Sequence, residues 1–478
     1  MLAVALAVAA ALMLAACGSV GPDYRRPTTV EPSAFRQLEG GTVEPAPPGW
    51  KLARHGREGA GRDAGADPGP GWWRHYADPT LDALAAAIEP GNQDIAAAQA
   101  RLRQSLALLD ATAAARRPVV GANLSASRSR SVAAQFGGGQ VQNAFRGGLS
   151  LGWEIDLWGR IARSVEANEA FAAASAADLA GVRLSIQAAL VQAYVQLRSA
   201  DALRRLLDST VQGYEQSLLV SRNRYDAGVA PRSDVTQAET QLRSVQAQLI
   251  DVGIQRAQLE HAIAVLLGRS PSSLSIPETD RVVSLPSIPV GLPSELLERR
   301  PDVAAAERRA AAANAQIGVA RAALFPSLQL GASAGTAGST LGDLLSLPNR
   351  VWSIGPALAQ TLFDGGQRSA QVAQAQAAFD ASAAAYRQTV LGSFQEVEDA
   401  LVSLRLLARE EAVQQLAVQA AGEALEQVTN QYRAGTVSIL NLITAQAALL
   451  SARRSLVDLR TRQLLASVQL ARATGGGW

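Results

Sequence analysis

Tyr225-Asp226-Ala227-Gly228 and Tyr432-Arg433-Ala434-Gly435 stand 207 residues apart and read as one turn written twice. Outward from that pair the chain keeps register with itself. Asp94-Ile95-Ala96-Ala97-Ala98 is answered by Asp302-Val303-Ala304-Ala305-Ala306, Pro118 by Pro326 and Arg160 by Arg368, all at an offset of 208. A solenoid unit runs to only about 20–50 residues, so this period marks a duplicated half-domain instead. Each copy should contribute equivalent parts of one pseudo-symmetric body.

The turns interrupt segments suited to long helices. There is no proline between 119 and 230 or between 357 and 478, and proline is the residue an interior helical turn tolerates least. Leu179, Val182, Ile186, Ala189, Ala193 and Leu197, and later Leu242, Val245, Leu249 and Val252, recur at spacings of three and four, which is coiled-coil periodicity. Alanine on the remaining faces lets helices approach on more than one side. If Arg160 to Asp226 is continuous it is roughly 100 Å long at the α-helical rise. Gly181 and Gly213 weaken that rod by about 1 kcal/mol each and are expected to mark bends or close contacts.

Ahead of each rod the period changes to two. Phe145, Gly147, Leu149, Leu151, Trp153, Ile155 and Leu157 alternate with Ser150, Gly152, Glu154 and Asp156, and Val120, Ala122, Leu124 and Ala126 alternate with Asn123, Ser125 and Ser127. The second half repeats this with Leu328, Leu330, Ala332, Ala334 and then Trp352, Ile354, Leu358. Period two means strand, so each half holds one hairpin, at about 118–158 and 326–363. Apolar-out, polar-in strands of about ten residues with terminal tryptophans are those of a transmembrane barrel. Four cannot close a barrel, and an open edge is forbidden in lipid, so several copies must complete the wall. The alternative is a soluble sheet covering a core, although no amphipathic partner remains to cover it.

With 478 residues, 48% of them apolar, the chain has ample material for a core. A net charge of +2 argues against a nucleic-acid groove, and the single lysine, Lys51, beside the arginines is read as compositional bias. Cys17 is the sole cysteine, so neither an intrachain disulfide nor a thiolate metal cluster can form. Met1 to Ala16 is an apolar run ending Leu14-Ala15-Ala16-Cys17, which reads as a lipoprotein signal with Cys17 carrying the lipid. Gly18 follows it, not the aspartate of inner-membrane retention. An ordinary secretory signal with an incidental cysteine is the alternative. No Lys or Arg precedes Arg25, so either the true start lies upstream or the amine of Met1 serves as the basic end. No other segment has 18 consecutive apolar residues, so no transmembrane helix is expected and any span must be β.

Catalysis finds no constellation. Gly331-Ala332-Ser333-Ala334-Gly335 fits the G-x-S-x-G pattern of hydrolases, but it lies on an expected strand and His55, His75 and His261 all precede it, whereas that fold places its base after the serine. There is no Gly-Lys-Ser/Thr run for phosphate. No enzyme activity, cofactor or metal site is expected.

Several longer stretches carry a resemblance. Val20-Gly21-Pro22-Asp23-Tyr24, Trp72-Trp73 with Asp78-Pro79 and Leu81, Leu296-Leu297-Glu298-Arg299-Arg300-Pro301-Asp302-Val303, and Ala313-Asn314-Ala315-Gln316-Ile317-Gly318-Val319-Ala320-Arg321 through Phe325-Pro326 accompany the two Tyr-x-x-Gly turns. In these the chain resembles the TolC-type outer membrane factors, specifically the lipoprotein (NodT/OprM-like) branch that serves tripartite RND efflux systems. The resemblance implies an α+β membrane channel. In it a homotrimer pools strands into a twelve-stranded transmembrane β-barrel continued by a long periplasmic α-helical coiled-coil tunnel.

It divides the chain into a lipoprotein signal (1–16), a lipid anchor and equatorial collar (17–90), repeat 1 (91–268), a Pro-rich join (269–299) and repeat 2 (300–478). The implied setting is the outer membrane of a Gram-negative bacterium, in contact with outer membrane lipid. The implied partners are a periplasmic adaptor protein and an inner-membrane RND-type pump, with no nucleic acid.

By position, Tyr225, Gly228, Val229, Ala230, Gly435, Thr436 and Val437 would be adaptor-docking tips, and Ser233, Asp234, Tyr432 and Asn441 would stand at the periplasmic constriction. Three copies would make Asp234 a ring of carboxylates favouring cations; it also reads as a cap of the next helix. Where some members carry an arginine and two aspartates past the second tip, this chain has Val437, Asn441 and Thr444. A salt-bridge lock is therefore not expected. Closure should rest on packing and on Tyr432 hydrogen bonding. Conduction would be passive, because no nucleotide or ion-coupling site is present to drive it. A type I protein secretion duct and a non-conducting lipid-anchored coiled-coil protein are the other readings; the two hairpins argue against the second.

Overall fold

The computed structural model describes residues 19–29, 35–36, 71–130, 141–281, 283–286 and 299–476. The expected signal, Cys17, much of the segment 17–90 and most of the join 269–299 lie outside the described residues. The chain packs into two compact units, and neither is a sequence repeat: one holds 100–176 and 305–388 with the N-terminal residues to Thr28, the other 29–99, 177–304 and 389–478. Each unit takes a matching piece of both repeats.

The first unit contains the sheet. Its strands are β1 (Val119–Arg130), β2 (Val141–Ile155), β3 (Ser327–Gly338) and β4 (Arg350–Ala359), in the order β1-β2-β3-β4 and antiparallel throughout. Opposed residues share a face of the pleat, so the register settles the two faces. Val120 opposes Leu151, which opposes Ala332, which opposes Ile354, and this apolar face continues through Leu124, Leu149, Trp153, Leu330 and Trp352. The other face carries Asn123, Ser125, Ser150, Gln329, Ser333 and Ser353. Both faces are open among the described residues: on the apolar one Leu124 is 80% exposed and Trp352 77%, and on the polar one Asn123, Ser125, Ser333 and Ser353 are exposed. Ser333, the serine of the hydrolase-like pattern, lies mid-strand with its hydroxyl 2.8 Å from that of Ser353.

Helices leave the same end of every strand. The Asp156 carboxylate accepts from the N–H groups of Ile161 and Ala162 at 3.1 and 2.7 Å, stabilising the positive N-terminus of α4 (Arg160–Asp226). Its counterpart Asp364 accepts from Arg368 N–H at 3.2 Å where α7 (Gln367–Arg433) begins. Between the strand ends Trp158 stacks on Phe325 at 4.7 Å and donates its indole N–H to the Pro326 carbonyl at 2.8 Å.

The N-terminal segment is tied to this end. Val20 N–H donates to the Trp158 carbonyl at 3.0 Å, and Asp23 pairs with the buried Arg163 at 2.8 Å, whose guanidinium holds the carboxyl below its ordinary pKa. Gly21, at φ +114°, lies so close to Gly318 that a Cβ there would stand 2.5 Å from its Cα. That contact explains why both positions of the family-like motifs are glycine.

Helix lengths repeat with the sequence. The 67-residue α4 and α7 each lead, through a short turn, into a 35-residue helix, α5 (Arg232–Leu266) and α8 (Ile439–Ala473). Ahead of α4 come α1 (Pro79–Ala86), α2 (Ile88–Gly91) and α3 (Gln93–Ala114), and α3 and its counterpart α6 (Pro301–Ala322), each of 22 residues, precede the hairpins. In the second unit α4 and α5 pack through Leu207, Tyr214, Leu218, Leu242, Val245 and Val252. Beside them the fully buried Asp201 takes Arg198 at 2.9 Å and Arg256 at 2.8 Å, so a carboxylate too costly to bury alone is held by two guanidiniums.

Trp72 and Tyr76 are buried, and Asp78 caps a short helix (Pro79–Ala86) while accepting the Tyr194 hydroxyl at 2.6 Å. Burial and that carboxylate push the Tyr194 hydroxyl up to about 12.

Two features of α4 bear on the sequence reading. Among the described residues a Cβ on Gly213 would meet nothing within 4 Å and one on Gly181 only Pro301 at 3.8 Å, so close contact with them demands neither glycine. By length and composition one stretch of α4 could cross a membrane; that helix instead buries Leu190, Val191, Tyr194, Val195 and Leu197 against protein.

Candidate functional site

The two reversals that end α4 and α7 share one backbone solution. Gly228 and Gly435 adopt φ of +72° and +78°, the left-handed region that a Cβ disfavours. Gly228 N–H donates to the Tyr225 carbonyl at 2.9 Å and Val229 N–H to that of Arg224 at 3.0 Å. In the second copy Gly435 donates to Tyr432 and Thr436 to Gln431, each at 3.0 Å. These are Schellman closures, which satisfy the last carbonyls of a helix and turn the chain back.

The side chains then diverge. Tyr225 is 43% exposed, as befits a tip, whereas Tyr432 is 2% exposed and packs with Ile439, Leu442, Val220, Leu425 and Val428. The Tyr432 hydroxyl lies 3.1 Å from Ser221 Oγ. Arg224 lays its guanidinium over the Tyr432 ring, 4.9 Å from the centroid, and donates Nη1 to the Tyr432 carbonyl at 2.5 Å. A cation held over a ring in this way contributes about 0.5–2 kcal/mol.

Gly228, Val229, Gly435 and Thr436 are exposed, Val229 at 66%, and Ala230 and Val437 are half-buried. Ser233 and Asn441 are exposed, and Asn441 Oδ1 accepts the Ser438 hydroxyl at 2.8 Å. Asp234 is half-buried in the first turn of α5, its own N–H donating to the Pro231 carbonyl at 3.1 Å. The N-cap position is Pro231, which has no side-chain cap bond, so Asp234 is not the N-cap; it stands where the helix dipole favours a negative charge.

Sequence reasoning placed Tyr432 beside Asp234 at a constriction and passed over Arg224 and Ser221. A signal existed. Ser217, Ser221 and Arg224 fall at spacings of four and three, one polar stripe on α4, and Ser217 Oγ accepts Gln446 Nε2 at 2.7 Å. That stripe faces the second tip.

An amphipathic four-stranded sheet, and paired long helices that reverse at glycine tips, define a membrane channel protein of the kind that lends strands to a shared barrel. The chain belongs to the outer membrane efflux protein family, whose model matches residues 85–269 and 292–476, once in each repeat. It is 32% identical over 413 residues to the probable efflux pump outer membrane protein TtgC of Pseudomonas putida, covering 85% of each chain. It is likewise 32% identical over 480 residues to the outer membrane protein OprJ of Pseudomonas aeruginosa, covering 98% of this chain and 94% of that one. Among solved structures, the outer-membrane channel OprN is similar at a TM-score of 0.85 and 32% identity, over 96% of this chain and 99% of that one. The protein is an outer membrane efflux duct of a Gram-negative bacterium.

Proposed function

We propose that three copies of the chain pool their sheets into one twelve-stranded barrel, and that the helices continue it as a periplasmic tunnel through which small molecules leave the cell. The observation that carries this reading is the sheet itself: among the described residues it has two unpaired edges, β1 and β4, and a bare apolar face. Neither is tolerable in lipid unless copies close the ring. Cys17 anchors each copy by its lipid after removal of residues 1–16, residues 17–90 form the anchor and equatorial collar, and 91–268 and 300–478 are the two repeats joined by 269–299.

A periplasmic adaptor docks on the tips at Tyr225, Gly228, Val229, Ala230, Gly435, Thr436 and Val437, and an inner-membrane RND-type pump supplies the drive. Ser233, Asp234 and Asn441 line the entrance. Tyr432, being buried, acts there through packing and its bond to Ser221. Relatives named for antibiotic, toluene and pyoverdine export fit a duct that leaves selection to the pump. Negative-stain imaging of the detergent-purified protein should show a threefold hollow tube; compact monomers or solid rods would rule the duct out. With the tube established, Asp234→Ala should lower cation selectivity in planar bilayers, and unchanged selectivity would remove Asp234 from the entrance.

A further inference from the structure

The two hairpins begin alike and differ in one pair of residues. In each repeat a 22-residue helix runs into the first strand of its hairpin, α3 into β1 and α6 into β3, and Pro118 answers Pro326 at the join. Immediately before that proline the second repeat has Leu324 and Phe325, and the first has Arg116 and Arg117. Phe325 stacks on Trp158. Both arginines are exposed, and neither guanidinium has a hydrogen-bond or ion-pair partner among the described residues.

The acids at the end of β2 are engaged elsewhere: Glu154 holds Arg160 at 2.7 Å, and Asp156 accepts the first N–H groups of α4. Asp110, the nearest acid in sequence, stands about a turn inside α3. A positive charge suits the C-terminus of α3, as Arg321 suits that of α6. One arginine would serve that purpose, and its neighbour would be left over.

Trp153 lies beside the pair. Val120 opposes Leu151 on the apolar face, so Trp153, two residues further along β2, stands on the same face one step nearer α3. Its indole N–H donates to the Arg116 carbonyl at 3.0 Å, and Val120 is 66% exposed. An indole at the edge of an apolar band, with its donor turned to the polar side, is the arrangement of a membrane interface. The helices leave the sheet at this end and the tunnel is periplasmic, so the adjoining leaflet is the periplasmic one. We propose that Arg116, Arg117 and Trp153 form a binding site for an anionic phospholipid of that leaflet. The guanidiniums take its phosphodiester, which matches their paired N–H donors, and the indole and Val120 take the first methylenes of an acyl chain. The inference rests on the shared-barrel reading above, which makes the apolar face lipid-facing. Arg128 and Arg130 of β1 and Arg350 of β4 lie on the same face farther from the helices, so variants are needed to locate the site.

Native mass spectrometry of the full-length protein released from detergent tests the site and the barrel separately. Wild type, Arg116→Gln, Arg117→Gln, the double variant and a control on the exposed arginines of the same helix, Arg101→Gln/Arg103→Gln, would each be offered three probes. These are phosphatidylglycerol, phosphatidylcholine, and glycerophosphoglycerol, which is the anionic headgroup without acyl chains. The expected result is a trimer that retains phosphatidylglycerol in preference to the other two. Retention should fall about thirtyfold in the double variant, from about fivefold per arginine near an anionic surface, and stay unchanged in the control. Each single variant should show the fivefold loss, which keeps the test decisive if the double variant does not assemble. A trimer with no preference, or with equal loss in the control, overturns the lipid site while leaving the duct intact. Equal retention of glycerophosphoglycerol would overturn it too, because the acyl chains would then contribute nothing. Monomer alone in every sample would overturn the shared barrel and, with it, the lipid-facing placement of Trp153.

Discussion

The first and second helical tips have the same backbone and opposite side-chain behaviour. Both close with a left-handed glycine and the same pair of hydrogen bonds, yet Tyr225 faces solvent while its counterpart Tyr432 is enclosed. The preceding position explains the difference. Arg224 in the first repeat reaches across to the ring and carbonyl of Tyr432, but its counterpart Gln431 is exposed. Duplication preserved the turn and let one copy hold the other.

The helix joins show the same division of labour. Asn92 Nδ2 donates to the Leu266 carbonyl at the end of α5 at 2.8 Å, and at the equivalent place Arg300 Nη1 donates to the Ala473 carbonyl at the end of α8 at 3.0 Å. Arg300 is further held by Asp302 and Glu396 at 2.6 and 2.8 Å. One repeat meets an orphan carbonyl with a neutral amide, the other with a charge network.

The largest effect should come from Tyr432→Ala, which opens a buried aromatic site at a cost of about 3–5 kcal/mol, whereas Tyr225→Ala should stay within about 0.5 kcal/mol. Hydrogen exchange at the two tips would show it, and equal deprotection would erase the distinction drawn here. Arg224→Met should loosen the second tip by about 2 kcal/mol through loss of the ring contact and the charged hydrogen bond, leaving the first tip protected. Gly228→Ala and Gly435→Ala should cost alike, about 1–2 kcal/mol each, because the penalty is the left-handed backbone in both; a marked inequality in thermal unfolding would mean the closures are not equivalent.

Acid gives the smallest effect. Burial alone would raise the Asp302 pKa, but the hydrogen bond and charge of Arg300 hold it below its ordinary value. Its contribution is therefore complete above the ordinary carboxylate pKa of about 4 and is lost as pH falls through the lower folded value. A hydrogen-exchange titration from neutral pH should show the end of α8 opening before that of α5, whose amide bond does not titrate. Simultaneous opening would refute the contrast.

Much of this was legible in the chain. The strands could be read from Leu149, Leu151 and Trp153 alternating with Ser150, Gly152 and Glu154, and the reversals from Tyr-x-x-Gly, because both follow from local geometry. The equivalence of Arg160 with Arg368 was also visible. What the offset could not reveal is that the compact units interleave the repeats, since similarity identifies matching parts without saying what they touch. Nor could it place Gly21 against Gly318, two residues whose importance lies in a backbone contact and not in a side chain.

The sequence by itself determined the repeat, the amphipathic strands, the proline-free rods and the glycine turns, because a pleat of period two, a helix of period 3.6 and a left-handed φ are properties of neighbouring residues. The tertiary structure decided that Tyr432 is enclosed and Tyr225 is not, that Arg224 belongs to the second tip, and that the arginines of β1 and β4 share one face. Burial and charge environment depend on which distant segment arrives alongside, and two copies of the same local pattern can receive different neighbours.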